Sequence, residues 1–142
     1  MHVSLTELPA FAKNVLDTLV PTQSATVVAL RGDLGAGKTT LTQAFAKALG
    51  VTDVVQSPTY VLMKRYTTAH TQFTTLVHID AYRFERPEQW AQLKPQEFLG
   101  DPRTLVLVEW PERVEGFMPK PDLGIDIGPG ASDKEREITT HA

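Results

Sequence analysis

The residues of this chain best placed to do chemistry are Gly32-Asp33-Leu34-Gly35-Ala36-Gly37-Lys38-Thr39, which fit the pattern G-x-x-x-x-G-K-[ST] at every fixed position. Each residue type in that pattern has a physical task. Glycines at 32, 35 and 37 admit positive φ and close backbone approach, so successive N–H groups can turn toward one anion. A helix opening at this point adds the positive end of its dipole. Lys38 supplies a cation for β- and γ-phosphates, and the Thr39 hydroxyl is a hard oxygen ligand for Mg²⁺. A pattern with so few fixed positions also arises by chance. Here a buried strand leads in and an amphipathic helix leads out, which argues against chance. The chemistry indicated is the holding of ATP with Mg²⁺ by a phosphate-binding loop.

Such a loop works with an acid delivered by a neighbouring strand, bound to the metal directly or through water. Two acids qualify. Glu109 ends the run Leu105-Val106-Leu107-Val108, and Asp80 ends the less apolar run Leu76-Val77-His78-Ile79. For either one, a solvated carboxylate at a strand end is the plainer reading. Strand character selects Glu109 as the metal ligand beside Thr39 and leaves Asp80 to orient water or Thr39 from behind. His78 shares a strand face with Asp80. No third ligand stands nearby, so a packed, hydrogen-bonded histidine is preferred to a metal pair. Trp110 suits two readings equally, packing at a strand end or docking a partner beside the nucleotide.

The elements that must position these residues follow from periodicity. Leu5, Leu8, Ala12, Val15, Leu16 and Leu19 recur at helical spacing. Thr6 is the preferred cap for that helix, because it puts Pro9 in the first turn; the competing Ser4/Glu7 capping box puts Pro9 deeper. Residues 26–30 read as a buried strand. A helix from about Lys38 to Leu49 buries Leu41, Ala44, Phe45, Ala48 and Leu49, and Gly50 is placed to cap its end. Residues 60–66 and 73–82 read as two strands joined by a polar turn, and 87–99 as short helical pieces between prolines. The continuous apolar run 105–108 marks a central strand covered on both faces. Residues 123–127 and 135–140 are weaker strands. The expected fold is a single α/β domain, a phosphate-loop NTPase-type mixed sheet flanked by helices.

Bulk properties narrow the function classes. The chain has 142 residues, 42% of them hydrophobic, enough for one real core. Net charge is −3 without a dense basic block, so a protein that grips nucleic acid through its phosphates is not indicated. The chain has no cysteine, which excludes disulfides and thiolate metal sites. The first residues lack the pattern of a signal peptide and no apolar run approaches membrane length, so the expected location is the cytoplasm, with no membrane partner.

Residues 32–40, Ser57-Pro58-Thr59-Tyr60, His78-x-Asp80-x-Tyr82-Arg83 and Glu109-Trp110-Pro111 occur in this order at short spacings. Together they resemble the bacterial TsaE (YjeE) family, the ATPases of tRNA threonylcarbamoyladenosine biosynthesis, over about residues 4–127. The resemblance implies a protein that binds and slowly hydrolyses ATP. It implies partners, a TsaD-like threonylcarbamoyl transferase and a TsaB-like subunit, which modify adenosine 37 of tRNAs reading codons that begin with A. The chain itself would meet tRNA at most indirectly. By the same resemblance, nucleotide contacts extend through Thr40, with Lys38 in the catalytic site. Thr39 and Glu109 hold Mg²⁺, Asp80 is a catalytic-site acid, and Thr59 lies in a switch-like loop that senses the γ-phosphate. Thr6 or Glu7 would lie near the base, and Lys134 or Arg136 near the nucleotide. The main rival is a small-molecule kinase on the same fold, which needs an acceptor pocket and an arginine-bearing lid. Arg65, Arg83, Arg86 and Arg103 are scattered and form no such cluster. A second rival is a nucleotide-gated binding module whose hydrolysis is incidental.

Overall fold

The computed structural model describes residues 1–33, 35–53, 55 and 62–142. Among them the strands are β1 His2–Ser4, β2 Thr26–Arg31, β3 Met63–Thr67, β4 Thr75–Asp80, β5 Thr104–Glu109, β6 Leu123–Pro129 and β7 Glu135–His141. Among the same residues there are two α-helices, α1 Leu8–Thr18 and α2 Lys38–Ala48, and four short 3₁₀ segments elsewhere in the chain. All strands belong to one mixed sheet of order β1-β7-β6-β2-β5-β4-β3. The central pairs β6/β2, β2/β5 and β5/β4 are parallel, and the outer pairs are antiparallel.

Strand alternation sorts the core into two layers. Val28, Leu30, Leu76, Leu105, Leu107 and Ile125 meet α1 and α2, chiefly through Leu8, Ala12, Leu16, Leu41 and Phe45. Val27, Val77, Ile79, Val106 and Val108 face the opposite side and meet Trp90, Leu93, Phe98 and Val114. That coverage explains the continuous apolar run in β5, which is buried along its whole length and lies beside β2 as its composition indicates.

The start of α1 departs from expectation. Thr6 does not cap it: residues Leu5–Glu7 form a 3₁₀ turn preceded by Ser4, and α1 opens only at Leu8. The Ser4 backbone N–H donates to Glu7 Oε1 at 2.9 Å, a bond that holds the Glu7 carboxyl below the usual carboxylate range. The turn lets the Ser4/Glu7 pairing coexist with Pro9 in the first turn of α1, a combination the two competing caps exclude. Strand β1 was not foreseen. Three residues carry no periodicity, and β1 exists because Val3 is buried opposite Arg136 of β7. The 3₁₀ segment Pro111–Val114 is likewise absent from the sequence reading. The remaining elements match that reading with ends moved by a few residues; positions 60 and 61 of the strand expected over 60–66 lie outside the described residues. Gly50 has φ +81° and ends α2 by donating its N–H to the Lys47 carbonyl at 3.0 Å.

Phe45 is fully buried on the α2 face against the sheet. Phe45→Ala should cost about 3–5 kcal/mol, read as a lower midpoint in denaturant with an unchanged slope.

Candidate functional site

The parallel strands end side by side where β2 runs into the glycine-rich loop. Glu109 lies opposite Leu30 on one side and Asp80 on the other. In open parallel sheets ligands bind beyond the carboxyl ends of the strands. Period-two alternation puts Glu109 on the face of Leu105 and Leu107, and His78 and Asp80 on the face of Leu76. That is the face covered by α2, whose first residue is Lys38. Glu109 and Asp80 thus end neighbouring parallel strands at one level, with Glu109 on the strand directly beside β2.

The loop glycines do different things. Gly35 (φ +78°) and Gly37 (φ +106°) take left-handed backbone, as the motif chemistry requires. Gly32 does not, which corrects the reading that all three serve positive φ. A Cβ on Gly32 would stand 2.4 Å from the Ile127 carbonyl oxygen, so glycine is needed there for close packing against β6. The Ala36 N–H donates to the Asp33 carbonyl at 3.0 Å, and the Ala36 carbonyl accepts from Arg136 Nε at 3.0 Å. Arg136 Nη1 also donates to the carbonyls of Asp133 and Glu135, both at 2.9 Å. Arg136 thus ties β7 to the loop. Because β7 pairs with β1, the loop is linked through Arg136 to the N-terminal strand that precedes Thr6 and Glu7.

Lys38 is only 5% exposed. Its ammonium donates to the carbonyls of Gly32 and Asp33, the latter at 3.0 Å, and lies 4.1 Å from the centroid of the Trp110 ring. Trp110 itself is half-buried, has φ +60° and packs on Tyr82 at 5.0 Å between ring centroids. Its ring therefore packs on the loop lysine, a contact that no spacing in the sequence signals. Burial pulls the Lys38 ammonium below its ordinary value of 10.5; the carboxylates of Glu109, Glu112, Asp80 and Asp33 oppose that shift.

Glu109 is 2% exposed and His78 fully buried, and His78 Nε2 lies 2.5 Å from Glu109 Oε2. Thr42 Oγ1 donates to the Lys38 carbonyl at 3.0 Å and lies 3.5 Å from the same Glu109 oxygen. The sequence missed Thr42, although its i+4 relation to Lys38 puts both on one helix face. Asp80 is half-buried, and its Oδ1 accepts the Tyr82 N–H at 3.0 Å. Thr39 is half-buried beside Lys38, and Thr40 is exposed. Leu34 and Thr59 lie outside the described residues. Among the described residues no group of three or more His, Asp or Glu side chains is gathered closely enough to hold a metal ion by itself.

A family model described as threonylcarbamoyl adenosine biosynthesis protein TsaE matches residues 3–138. The chain belongs to the TsaE family. A Bacillus subtilis protein named tRNA threonylcarbamoyladenosine biosynthesis protein TsaE is 42% identical over 113 residues, 80% of this chain and 67% of that protein. A Haemophilus influenzae protein of the same name is 34% identical over 119 residues, 82% of this chain and 73% of that one. The crystal structure of Bacillus subtilis YdiB superposes with a TM-score of 0.69 at 33% identity, covering 99% of this chain and 81% of that one. The matched span begins before Thr6 and Glu7 and ends beyond Arg136. No helix among the described residues is long and apolar enough to cross a membrane.

The lowered Lys38 pKa gives a signed pH effect. Between the folded value and 10.5 the unfolded chain holds a proton that the folded chain has lost, so stability rises with pH across that interval. Below the interval the burial penalty is constant. Urea midpoints of the nucleotide-free protein should therefore climb toward pH 10.5, and Lys38→Met should remove that component of the slope.

Proposed function

We propose that this TsaE-family chain binds Mg·ATP at residues 32–40 in the cytoplasm and hydrolyses it slowly. In this reading it serves tRNA threonylcarbamoyladenosine formation beside a TsaD-like transferase and a TsaB-like subunit. The observation that carries the reading is the pairing of a buried lysine and a buried glutamate at the strand ends, neither neutralised by direct contact with the other. A buried ammonium resting on carbonyls gains from an incoming phosphate, and a buried carboxylate gains from a cation.

The donor set fits Mg²⁺. Glu109 and Thr39 offer hard oxygens, and among the described residues the two polar side chains nearest the Glu109 carboxylate, His78 and Thr42, both lie on Oε2. When bound, Mg²⁺ would spread the negative charge shared by the β- and γ-phosphates. Lys38 would turn from the Gly32 and Asp33 carbonyls to the phosphates, and N–H groups around Gly35 and Gly37 would line the anion nest. Asp80, one strand over from Glu109, would orient the attacking water. Thr59 is assigned to γ-phosphate sensing on motif grounds alone. Arg136 is engaged on three carbonyls of the loop and β7, so added positive charge on the γ-phosphate would come from a partner. A metabolite kinase would need lid arginines; Arg65 is paired with Glu97, and Arg103 donates to the Thr71 carbonyl.

Two outcomes follow. Steady-state ATP turnover should be slow for the pure chain and rise at least tenfold (an order-of-magnitude expectation for charge supplied in trans) with TsaB- and TsaD-like subunits. Fast turnover by the lone chain, or phosphate transfer to a metabolite, would favour the kinase; no stimulation would favour the binding module. In Mg²⁺ titrations at fixed ATP, Glu109→Gln should weaken the metal requirement more than Asp80→Asn, while both lower turnover. The reverse ranking would make Asp80 the ligand.

A further inference from the structure

We propose that His78 is a positioning residue that fixes which oxygen of Glu109 faces the metal. The inference rests on the Mg·ATP reading and adds a residue to it. His78 sits on β4 opposite Leu107 of β5, on the α2 side of the sheet, with no solvent exposure. Its Nε2 lies 2.5 Å from Glu109 Oε2, and its buried Nδ1 has no hydrogen-bond partner among the described residues. A proton on Nδ1 would be a buried donor without an acceptor and would aim a bare Nε2 at a carboxylate oxygen. The geometry therefore assigns the ring proton to Nε2, donated to Glu109.

Both recorded neighbours of the carboxylate, His78 and Thr42, lie on Oε2. Among the described residues no hydrogen bond reaches Oε1, which leaves it as the oxygen for a cation. A ring N–H suits this task, because it orients Glu109 through one hydrogen bond and leaves the other carboxylate oxygen open. A lysine or arginine in its place would repel the metal. Groups that orient a ligand in this way are often worth about 10–100-fold in metal affinity.

The test compares His78→Leu, which fills the space without a donor, with His78→Gln, whose amide can donate from a similar position. ATP binding to the full chain is followed by calorimetry across a Mg²⁺ series and in EDTA. In His78→Leu the Mg²⁺ concentration giving half of the metal-dependent gain in affinity should rise about 10–100-fold. His78→Gln should stay within about threefold of wild type, and affinity in EDTA should match wild type in both variants. The inference is overturned if His78→Leu keeps the wild-type Mg²⁺ requirement, if its affinity falls equally in EDTA, or if His78→Gln is as impaired as His78→Leu. Wild-type protein whose ATP affinity ignores Mg²⁺ would overturn the Mg·ATP reading itself, and this inference with it.

Discussion

Lys38 and Glu109, residues of opposite charge type, are buried at the same end of one sheet, and each is held by hydrogen bonds to groups other than its counterpart. Lys38 rests on the carbonyls of Gly32 and Asp33 and on the Trp110 ring, and Glu109 rests on His78. Taking an ion out of water costs several kcal/mol unless hydrogen bonds or a counter-charge compensate. Much of the local architecture provides that compensation. The loop turns on Gly35 and Gly37 so that its carbonyls meet the ammonium. Thr42, one helical turn beyond Lys38, bonds the Lys38 carbonyl and approaches Glu109, linking the helix start to the strand end. The parallel β2/β5/β4 register brings Glu109, Asp80 and the loop to one level.

The second constraint is the turn after β5. Trp110 adopts a left-handed conformation that costs a bulky residue on the order of 1–3 kcal/mol and persists only where its surroundings over-determine it. They do so here. Its N–H donates to the Leu30 carbonyl at 3.3 Å, its ring packs on Tyr82, and the Lys38 ammonium lies against its face. Arg113 in turn lies 5.5 Å from the Tyr82 ring centroid. The strand that carries Glu109 and the helix that begins with Lys38 are thus clamped by the same indole.

Much of this was legible in the residues alone, for definite reasons. Leu105 to Val108 could only be a strand covered on both faces, and that fixed Glu109 at the end of a central strand. The glycine-rich loop, a buried run before it and a helical stripe after it determined where Lys38 and Thr39 had to lie. Legibility failed where tertiary contact decided the outcome. Val3 makes β1 a strand only because Arg136 lies across from it, and the Ser4 turn removes the conflict between capping and Pro9. Gly32 proved to be a packing glycine, since the Ile127 carbonyl comes from a strand nearly a hundred residues away. The contacts of Trp110 with Lys38, and of His78 with Glu109, likewise join residues whose relation no local period encodes.

If the buried Lys38 ammonium meets a nucleotide phosphate as proposed, calorimetry of Mg·ATP binding to Lys38→Ala will read its loss directly. Folding is checked in parallel by thermal melting. Loss of a desolvated cation from its anionic partner should weaken binding by on the order of 2–4 kcal/mol. A folded Lys38→Ala protein that binds Mg·ATP as tightly as wild type would contradict the account.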